Sequence, residues 1–159
     1  MLKADAELGG YDQLFNLNAG RDIQRLFGQK PQDIITLKML YGLDNRKMST
    51  SWGNVVNIVD SPNEMYGKLM SMKDETIADY FELCTPISQE ELTEIRKQLK
   101  EGKVNPRDLK VRLALLIISL YHGKIASQKA EKEFKKIFKN KGLPSDMRTF
   151  FTPKNIYPI

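Results

Sequence analysis

The sequence predicts a mostly helical protein that begins with an α/β segment and continues with an all-α segment. Two strand-like segments, residues 2–8 and 33–37, enclose a helical pattern over about residues 14–27, which is the element order of an α/β unit. After about residue 60 the apolar residues recur at helical spacing only, and helix-start and helix-stop residues divide the segment into several helices.

Glycines mark most of the predicted element boundaries in the first segment. We expect the first strand to end at Gly9-Gly10 and the helix that follows to stop at Gly28. Beyond the second strand lies a loop rich in Gly, Asn, Asp and Ser, residues 41–54, which we call the lysine loop. The run VVNIV at 55–59 predicts a further short strand.

Helix starts in the second segment are marked by capping residues. Ser61, Pro62 and Glu64 together predict a capping box with proline in the first turn. Further helices are predicted to begin at Ser88 with Glu91 as its box partner, to run from Asn105-Pro106 to about His122 with Gly123 as the stop, and to extend over about 125–140.

Composition limits the classes of protein. The chain has 159 residues, 41% of them apolar and 28% charged, which is typical of a globular protein of one domain or two small ones. No apolar run approaches the roughly 20 residues of a membrane helix, and no signal peptide is evident, so we expect no membrane partner and a cytoplasmic location. Cys84 is the single cysteine, so an internal disulfide and a cysteine-based metal site are excluded, and no metal ligands are predicted.

Charge is distributed unevenly along the chain. Residues 1–87 hold 9 Lys and Arg against 12 Asp and Glu, whereas residues 88–142 hold 14 against 7. The net charge is therefore −3 in the first part and +7 in the second. Charge alone fits a nucleic-acid-binding segment and a lysine-rich helical bundle about equally well.

The stretch LGGYDQLFN, residues 8–16, has features of a ligand-binding turn. Gly10 lets a ligand approach the backbone closely, and Asp12 can accept hydrogen bonds from two hydroxyl groups, as of a ribose. Gln13 offers both a donor and an acceptor. The same residues also fit a plain turn followed by an exposed helix start.

The stretch NRKMSTSWGN, residues 45–54, is suited to binding phosphate. Lys47 is a mobile positive charge, and Ser49, Thr50 and Ser51 add hydroxyl donors that can neutralise a phosphate whose charge changes during a reaction. A solvated basic loop without such a role also fits these residues.

Taken together, these motifs resemble one family. The segments ELGGYDQLFNLNAGRDIQ, LDNRKMSTSWGN, DSPNEMYGKLMS and NPRDLKVRLA, followed by YHG, are similar in form and order to the tyrosyl-tRNA synthetases, which are class I aminoacyl-tRNA synthetases. The resemblance covers about residues 4–143. Tryptophanyl-tRNA synthetases share the turn and the lysine loop, but not the GGxDQxFN form or the helical segments.

The resemblance implies roles for the turn and for the residues after the second strand. Gln13 would contact bound tyrosine, and Asp12 and Gly10 would hold the ribose of the adenylate. Met39 and Leu40 would pack near the adenine, so ATP is expected as a substrate together with Mg²⁺, and no permanent cofactor is expected.

The resemblance also implies roles in the lysine loop. Lys47 with Ser49 and Ser51 would steady the phosphates of ATP, with Met48 beside them, as pyrophosphate leaves. Thr50 stands where the family usually has a second lysine, so activation would be slower or would rely on Lys47, on Arg46 or on a bound cation.

The implied architecture is the C-terminal portion of a Rossmann-like nucleotide-binding catalytic domain followed by a helical-bundle domain. We expect residues 1–60 to be the partial catalytic domain with the lysine loop, and residues 61–142 to be a helical anticodon-binding domain for tRNA(Tyr). Residues 143–159 would be a linker toward an absent RNA-binding domain. The complete protein is expected to be a homodimer.

The chain also departs from the family pattern. The H-I-G-H signature is missing, and the one histidine, His122, stands at a helix end where a structural role is expected. Tyr11 replaces a small residue and Lys38 replaces a frequent proline. We therefore expect a fragment that is inactive alone. Two alternatives stay open: a stand-alone RNA-binding module, or a degenerate paralogue that has lost tyrosine activation.

Overall fold

A computed structural model of the chain describes residues 3–139, which are mostly helical, as predicted. The strands and α-helices of this part are β1 (Ala6–Gly10), α1 (Leu14–Leu26), β2 (Asp33–Leu37), α2 (Pro62–Ser71), α3 (Ile77–Cys84), α4 (Gln89–Glu101), α5 (Pro106–His122) and α6 (Lys124–Phe134). The fold consists of two compact units, which divide between Leu40 and Tyr41.

The first unit is a β-strand, helix, β-strand arrangement. β1 and β2 pair in parallel, with Leu8 opposite Ile35 and Gly10 opposite Leu37. The predicted bounds of the first strand, residues 2–8, are therefore wrong: the strand begins at Ala6 and includes both glycines, because the ladder with β2 continues to their end. The second strand lies where it was predicted.

The first unit covers one face of its sheet and leaves the other exposed. Helix α1 packs on the face that contains Gly9, where a Cβ atom would lie 3.2 Å from Leu17 Cδ1. Leu8, Ile35 and Leu37 lie on the opposite face and are 61%, 48% and 53% exposed. Parallel sheets are ordinarily buried on both faces.

Helix α1 ends as the sequence predicts. Gly28 has a φ of +68°, and its N–H donates to the Arg25 carbonyl at 3.0 Å, so a left-handed glycine ends the helix. Among the apolar side chains of α1 only Leu17 is buried, whereas Leu26 is 84% exposed. The remaining apolar side chains of α1 therefore have little of this unit to pack against.

The second unit is a helical bundle. Helix α5 packs against α2, α3 and α6, and α4 packs against α3. Its core includes Met65, Leu69, Phe81, Leu113 and Ile118, each no more than 1% exposed. Helix α5 buries one side of its apolar run, including Leu113, Ala114, Ile117 and Ile118, whereas Leu120 is 60% exposed. No helix among residues 3–139 has the length and hydropathy to cross a membrane.

The predicted helix starts are confirmed. The Ser61 hydroxyl accepts from the Glu64 N–H, and Glu64 Oε2 accepts from the Ser61 N–H at 3.1 Å, which completes the capping box. The Ser88 hydroxyl accepts from the N–H of Glu91, but the Glu91 carboxylate pairs with Arg112, so only half of the capping box predicted there is present. The Asn105 side chain accepts from an N–H of the first turn of α5.

Two predicted elements in the second unit are corrected. Residues 55–59 do not form a strand, because the Asn57 N–H donates to Asp60 Oδ2 at 2.8 Å and the Asp60 N–H returns to the Asn57 carbonyl, which makes a turn. The last α-helix ends at Phe134 and continues as a π-helical turn over Lys135–Lys139. The predicted linker, residues 143–159, lies outside the described residues.

Two residues singled out in the sequence lie at helix ends. Cys84 ends α3 and is partly buried, and this burial raises the pKa of its thiol to about 11. His122 is the last residue of α5, where its Nε2 atom is buried without a hydrogen-bond partner.

Candidate active site

The glycine turn lies at the carboxyl end of β1. Gly10 is the last residue of the strand, Tyr11–Gln13 form a single 3-10 turn, and α1 follows at Leu14. The φ of Gly10 is −64°, which any residue can adopt, so the glycine is required for space and not for backbone conformation.

Three of the predicted site residues converge at this edge of the sheet. A Cβ atom on Gly10 would lie 2.7 Å from Asp12 Oδ1 and 3.4 Å from the sulfur of Met39. Met39 follows the carboxyl end of β2, so both strands deliver predicted site residues to the same edge. This edge is where open α/β sheets bind ligands. The Asp12 carboxylate lies there, in the space that the missing side chain of Gly10 leaves open.

Other predicted residues of the turn are less tightly held. The Gln13 side chain is exposed, and its Oε1 accepts a hydrogen bond from Asn16 Nδ2 at 2.8 Å. Leu40 is partly buried just after Met39. The ring of Tyr11 is 69% exposed in this unit, which places it toward solvent.

The lysine loop belongs to the second compact unit and is held on the helical bundle. The Lys73 N–H donates to the Leu43 carbonyl at 2.9 Å, and the Tyr80 hydroxyl donates to the Tyr41 carbonyl at 3.0 Å. Asn45 Nδ2 donates to Glu75 Oε2 at 3.2 Å. Residues 41–45, which we call the first arm of the loop, are therefore held by residues in and just before α3.

The predicted phosphate-binding residues lie at the tip of the loop. Ser49 and Ser51 share a hydrogen bond of 2.8 Å between their hydroxyl oxygens, and Thr50–Trp52 form a 3-10 turn that ends at Gly53 with a φ of +65°. Lys47, Met48, Thr50 and Ser51 are exposed. The structure therefore pairs the hydroxyl groups of Ser49 and Ser51 in an exposed part of the loop that also contains Lys47.

A buried asparagine, Asn54, organises the loop and was missed in the sequence. It is 5% exposed. Its Oδ1 accepts from the Ser49 N–H at 2.8 Å, and its Nδ2 donates to Asp44 Oδ1 at 2.9 Å and to the Lys47 carbonyl at 3.1 Å. Asparagine often bonds to the backbone of nearby loops, which was the available signal, but spacing does not specify its partners.

A second unpredicted cluster joins Asp44 to Arg46. Asp44 Oδ2 accepts from Arg46 Nε at 2.7 Å and lies 2.5 Å from Nη2. The hydrogen bond from Asn54 is the main reason that the pKa of Asp44 is lowered from 3.8 to about 2. Partial burial opposes this shift, and the hydrogen bonds and charge of Arg46 add to it.

Comparison with known proteins identifies a family that matches most of the chain. Residues 1–139 match the family described as tRNA synthetases class I (W and Y), and the chain belongs to that family. Its relatives include the tyrosine–tRNA ligase of Moorella thermoacetica, 50% identical over 147 residues that cover 92% of this chain and 36% of the relative. The Thermotoga maritima tyrosine–tRNA ligase is 46% identical over 147 residues, with coverage of 92% and 37%.

Solved structures agree on the fold. Tyrosyl-tRNA synthetase from Archaeoglobus fulgidus, solved with L-tyrosine, has a TM-score of 0.62 at 22% identity and covers 80% of this chain and 46% of its own. The enzyme from Aeropyrum pernix has a TM-score of 0.64 at 20% identity, with coverage of 82% and 48%. The chain thus has a class I synthetase fold, and it spans little more than a third of the curated relatives above.

Proposed function

We propose that this chain is part of a tyrosine–tRNA ligase, which activates tyrosine with ATP and transfers it to tRNA(Tyr) in protein synthesis. The observation that carries the proposal is the edge of the first unit, where the Asp12 carboxylate covers Gly10 beside Met39. Identity of 45–50% to several proteins named tyrosine–tRNA ligase supports tyrosine as the amino acid.

The first step assigned to the complete enzyme is adenylation of tyrosine. A carboxylate oxygen of tyrosine attacks the α-phosphorus of ATP, the bond to the β-phosphate breaks, and pyrophosphate leaves. Gln13 contacts the tyrosine, and Asp12 accepts hydrogen bonds from the ribose hydroxyls where Gly10 leaves room. Met39 and Leu40 pack beside the adenine. These residues act by positioning, because the reaction needs aligned groups more than covalent help.

The lysine loop carries the charge neutralisation in this step. Lys47, exposed at the tip of the loop, and the paired hydroxyls of Ser49 and Ser51 bind the phosphates as charge moves onto pyrophosphate. Met48 lies beside them, and Thr50 adds a neutral donor. ATP carries Mg²⁺ on its phosphates in this proposal.

The second step transfers tyrosine to RNA. A ribose hydroxyl of tRNA(Tyr) attacks the tyrosyl carbonyl, and AMP leaves. The helical segment 61–142 is assigned to binding the anticodon region, which its charge of +7 over residues 88–142 supports. The complete protein is proposed to be a cytoplasmic homodimer.

The exposed sheet face supports a role within a larger catalytic domain. Leu8, Ile35 and Leu37 form an apolar face of a two-stranded parallel sheet, and such sheets are stable when more strands and helices cover them. We assign residues 1–60 to a Rossmann-like domain that is completed by further chain, and residues 143–159 to a linker toward an RNA-binding domain.

The test of the proposal is tyrosine-dependent exchange between ATP and pyrophosphate. We expect no exchange above background from the 159-residue chain alone. In a hybrid ligase, this chain replaces the matched 147-residue segment of the Moorella thermoacetica ligase, and we expect exchange that requires tyrosine and is not supported by tryptophan. A hybrid that unfolds cooperatively but shows no exchange would contradict the proposal, and robust exchange by the chain alone would refute its need for further chain.

A stand-alone RNA-binding module is the second candidate, favoured by the exposed lysines of α6. It predicts salt-dependent binding of tRNA by this chain and no activity of the hybrid ligase. An inactive hybrid whose tRNA binding is intact would therefore select this candidate or a degenerate paralogue.

A further inference from the structure

We propose that Asn54 is a positioning residue that fixes the backbone of the lysine loop at Lys47 and Ser49. Its importance for catalysis rests on the function proposed above. Its action on the loop is measurable in this chain alone.

The side chain of Asn54 connects the first arm of the loop to its tip. Toward the first arm it donates to the Asp44 carboxylate, and toward the tip it bonds the Lys47 carbonyl and the Ser49 N–H. Both Nδ2 hydrogens are used, and Oδ1 accepts at the same time. Only a primary amide supplies two donors and an acceptor in so short a side chain.

The surroundings of Asn54 are shaped to admit this side chain. A Cβ atom on Gly42 would lie 2.4 Å from Asn54 Nδ2 and 2.8 Å from the Asn54 carbonyl oxygen. Gly42 is itself tied into the loop, because its N–H donates to the Arg46 carbonyl at 2.7 Å. The absence of a side chain at Gly42 is therefore what lets the amide occupy the centre of the loop.

The backbone of Asn54 extends this connection to the helical bundle. The Leu43 N–H donates to the Asn54 carbonyl at 2.9 Å, and the Leu43 carbonyl accepts from the Lys73 N–H at 2.9 Å. The base of the loop is thus fixed, whereas the tip residues Thr50 and Ser51 are exposed. Asn54 lies at the boundary between the fixed base and the exposed tip.

This arrangement has a consequence for the proposed phosphate-binding residues. The peptide carbonyl of Lys47 and the N–H of Ser49 are held at defined positions, so the lysine side chain starts from a fixed backbone. Preorganised donors avoid the cost of reorganisation during a reaction. Loss of the amide should free the loop backbone without removing any phosphate-binding side chain.

The direct test is hydrogen exchange at the Ser49 N–H in the 159-residue chain. We expect Asn54→Ala to accelerate this exchange at least tenfold, with the amides of α5 unchanged. The matched control is Asn57→Ala, since the Asn57 side chain bonds to Asp60 in its own turn at 3.4 Å. Ser49 exchange within twofold of the unsubstituted chain would overturn the proposal.

A second variant reaches the same side chain from the opposite direction. We expect Gly42→Ala to displace Asn54 and to accelerate Ser49 exchange to a similar extent. Because the new methyl group would also lie 2.8 Å from the Asn54 carbonyl oxygen, the double variant should exchange at least as fast as Asn54→Ala. Ser49 exchange in Gly42→Ala within twofold of the unsubstituted chain would contradict the proposal.

Activity of the hybrid ligase separates this inference from the proposed function. We expect Asn54→Ala to lower kcat for pyrophosphate exchange at least tenfold while KM for tyrosine is unchanged, and Asn57→Ala to change neither. An unsubstituted hybrid without activity counts against the synthetase assignment, whereas the hydrogen exchange still decides the role of Asn54. An active hybrid with unchanged kcat in Asn54→Ala would overturn the positioning role.

Discussion

The guanidinium carbon of Arg46 lies 4.7 Å from the centre of the Trp52 ring, over its face. The same guanidinium forms two close contacts with the Asp44 carboxylate, at 2.7 and 2.5 Å. A cation held by a carboxylate and an aromatic face has less of its charge available for a third partner. Arg46 is therefore poorly suited to supply the charge of the second lysine that the resemblance leads us to expect at position 50.

Restoring a lysine at position 50 should accelerate tyrosine activation. Thr50 is exposed at the tip of the loop, so a longer side chain is accommodated without repacking. We expect Thr50→Lys in the hybrid ligase to raise the rate of pyrophosphate exchange on the order of tenfold, because a full charge replaces a neutral donor. Thr93→Lys, the same change at an exposed position of α4, is the control. Equal rates for the two variants would mean that position 50 does not limit activation.

The loop should respond to acid through Asp44. Its folded pKa of about 2 is below the ordinary value of 3.8, so the ionised carboxylate stabilises the loop above about pH 4 and this contribution is lost as the pH falls toward 2. Trp52 is the single tryptophan, and its fluorescence reports the transition. We expect Asp44→Asn to abolish a fluorescence change that precedes helix loss in circular dichroism. Identical titrations of both proteins would refute the assignment.

The same titration links Asp44 to Asn54. Because the hydrogen bond from Asn54 is the main cause of the lowered pKa, Asn54→Ala should move the Asp44 midpoint upward from about 2 toward 3.8. Carboxyl NMR of the chain would measure it. An unchanged midpoint would show that Arg46 alone accounts for the shift.

The parts of the fold set by local chemistry could be predicted from the sequence. Ser61 with Glu64, Ser88 and Asn105 mark helix starts through contacts within one turn, and Gly28 marks a helix end through its left-handed backbone. The strand predicted at 55–59 failed because Asn57 and Asp60 form a local turn that competes with an apolar run.

The organisation of the site depends on contacts that spacing does not specify. Gly10, Asp12 and Met39 converge because two parallel strands end at one edge, which the strand–helix–strand order made predictable. The contacts of Asn54 depend on how residues 42–54 fold back on themselves. No periodicity encodes that path, so the role of Asn54 was missed.

The space over Gly10 should be essential to the proposed ribose site. In Gly10→Ala the new methyl group would collide with the Asp12 carboxylate, whereas the φ of −64° is compatible with alanine. We expect pyrophosphate exchange by the hybrid ligase to fall at least tenfold, with stability changed by about 1 kcal/mol or less. The control is Gly67→Ala in α2, where nothing lies within 4 Å and helix propensity should stabilise by about 0.5–1 kcal/mol. Full activity of Gly10→Ala would mean that Asp12 does not bind the ribose.

The exposed lysines of α6 should contribute to tRNA binding. Lys129 and Lys132 are exposed on this helix, in the part of the chain with a net charge of +7. Each phosphate contact contributes about 0.9 to the slope of log affinity against log salt, so replacing both lysines with glutamate should weaken tRNA(Tyr) binding and reduce that slope by about 2. The control replaces Lys3 and Lys30 of the first unit with glutamate, which changes the net charge equally. Titrations of a tRNA transcript at several salt concentrations measure both quantities. Equal losses in the two double variants would mean that binding follows net charge and not the surface of α6.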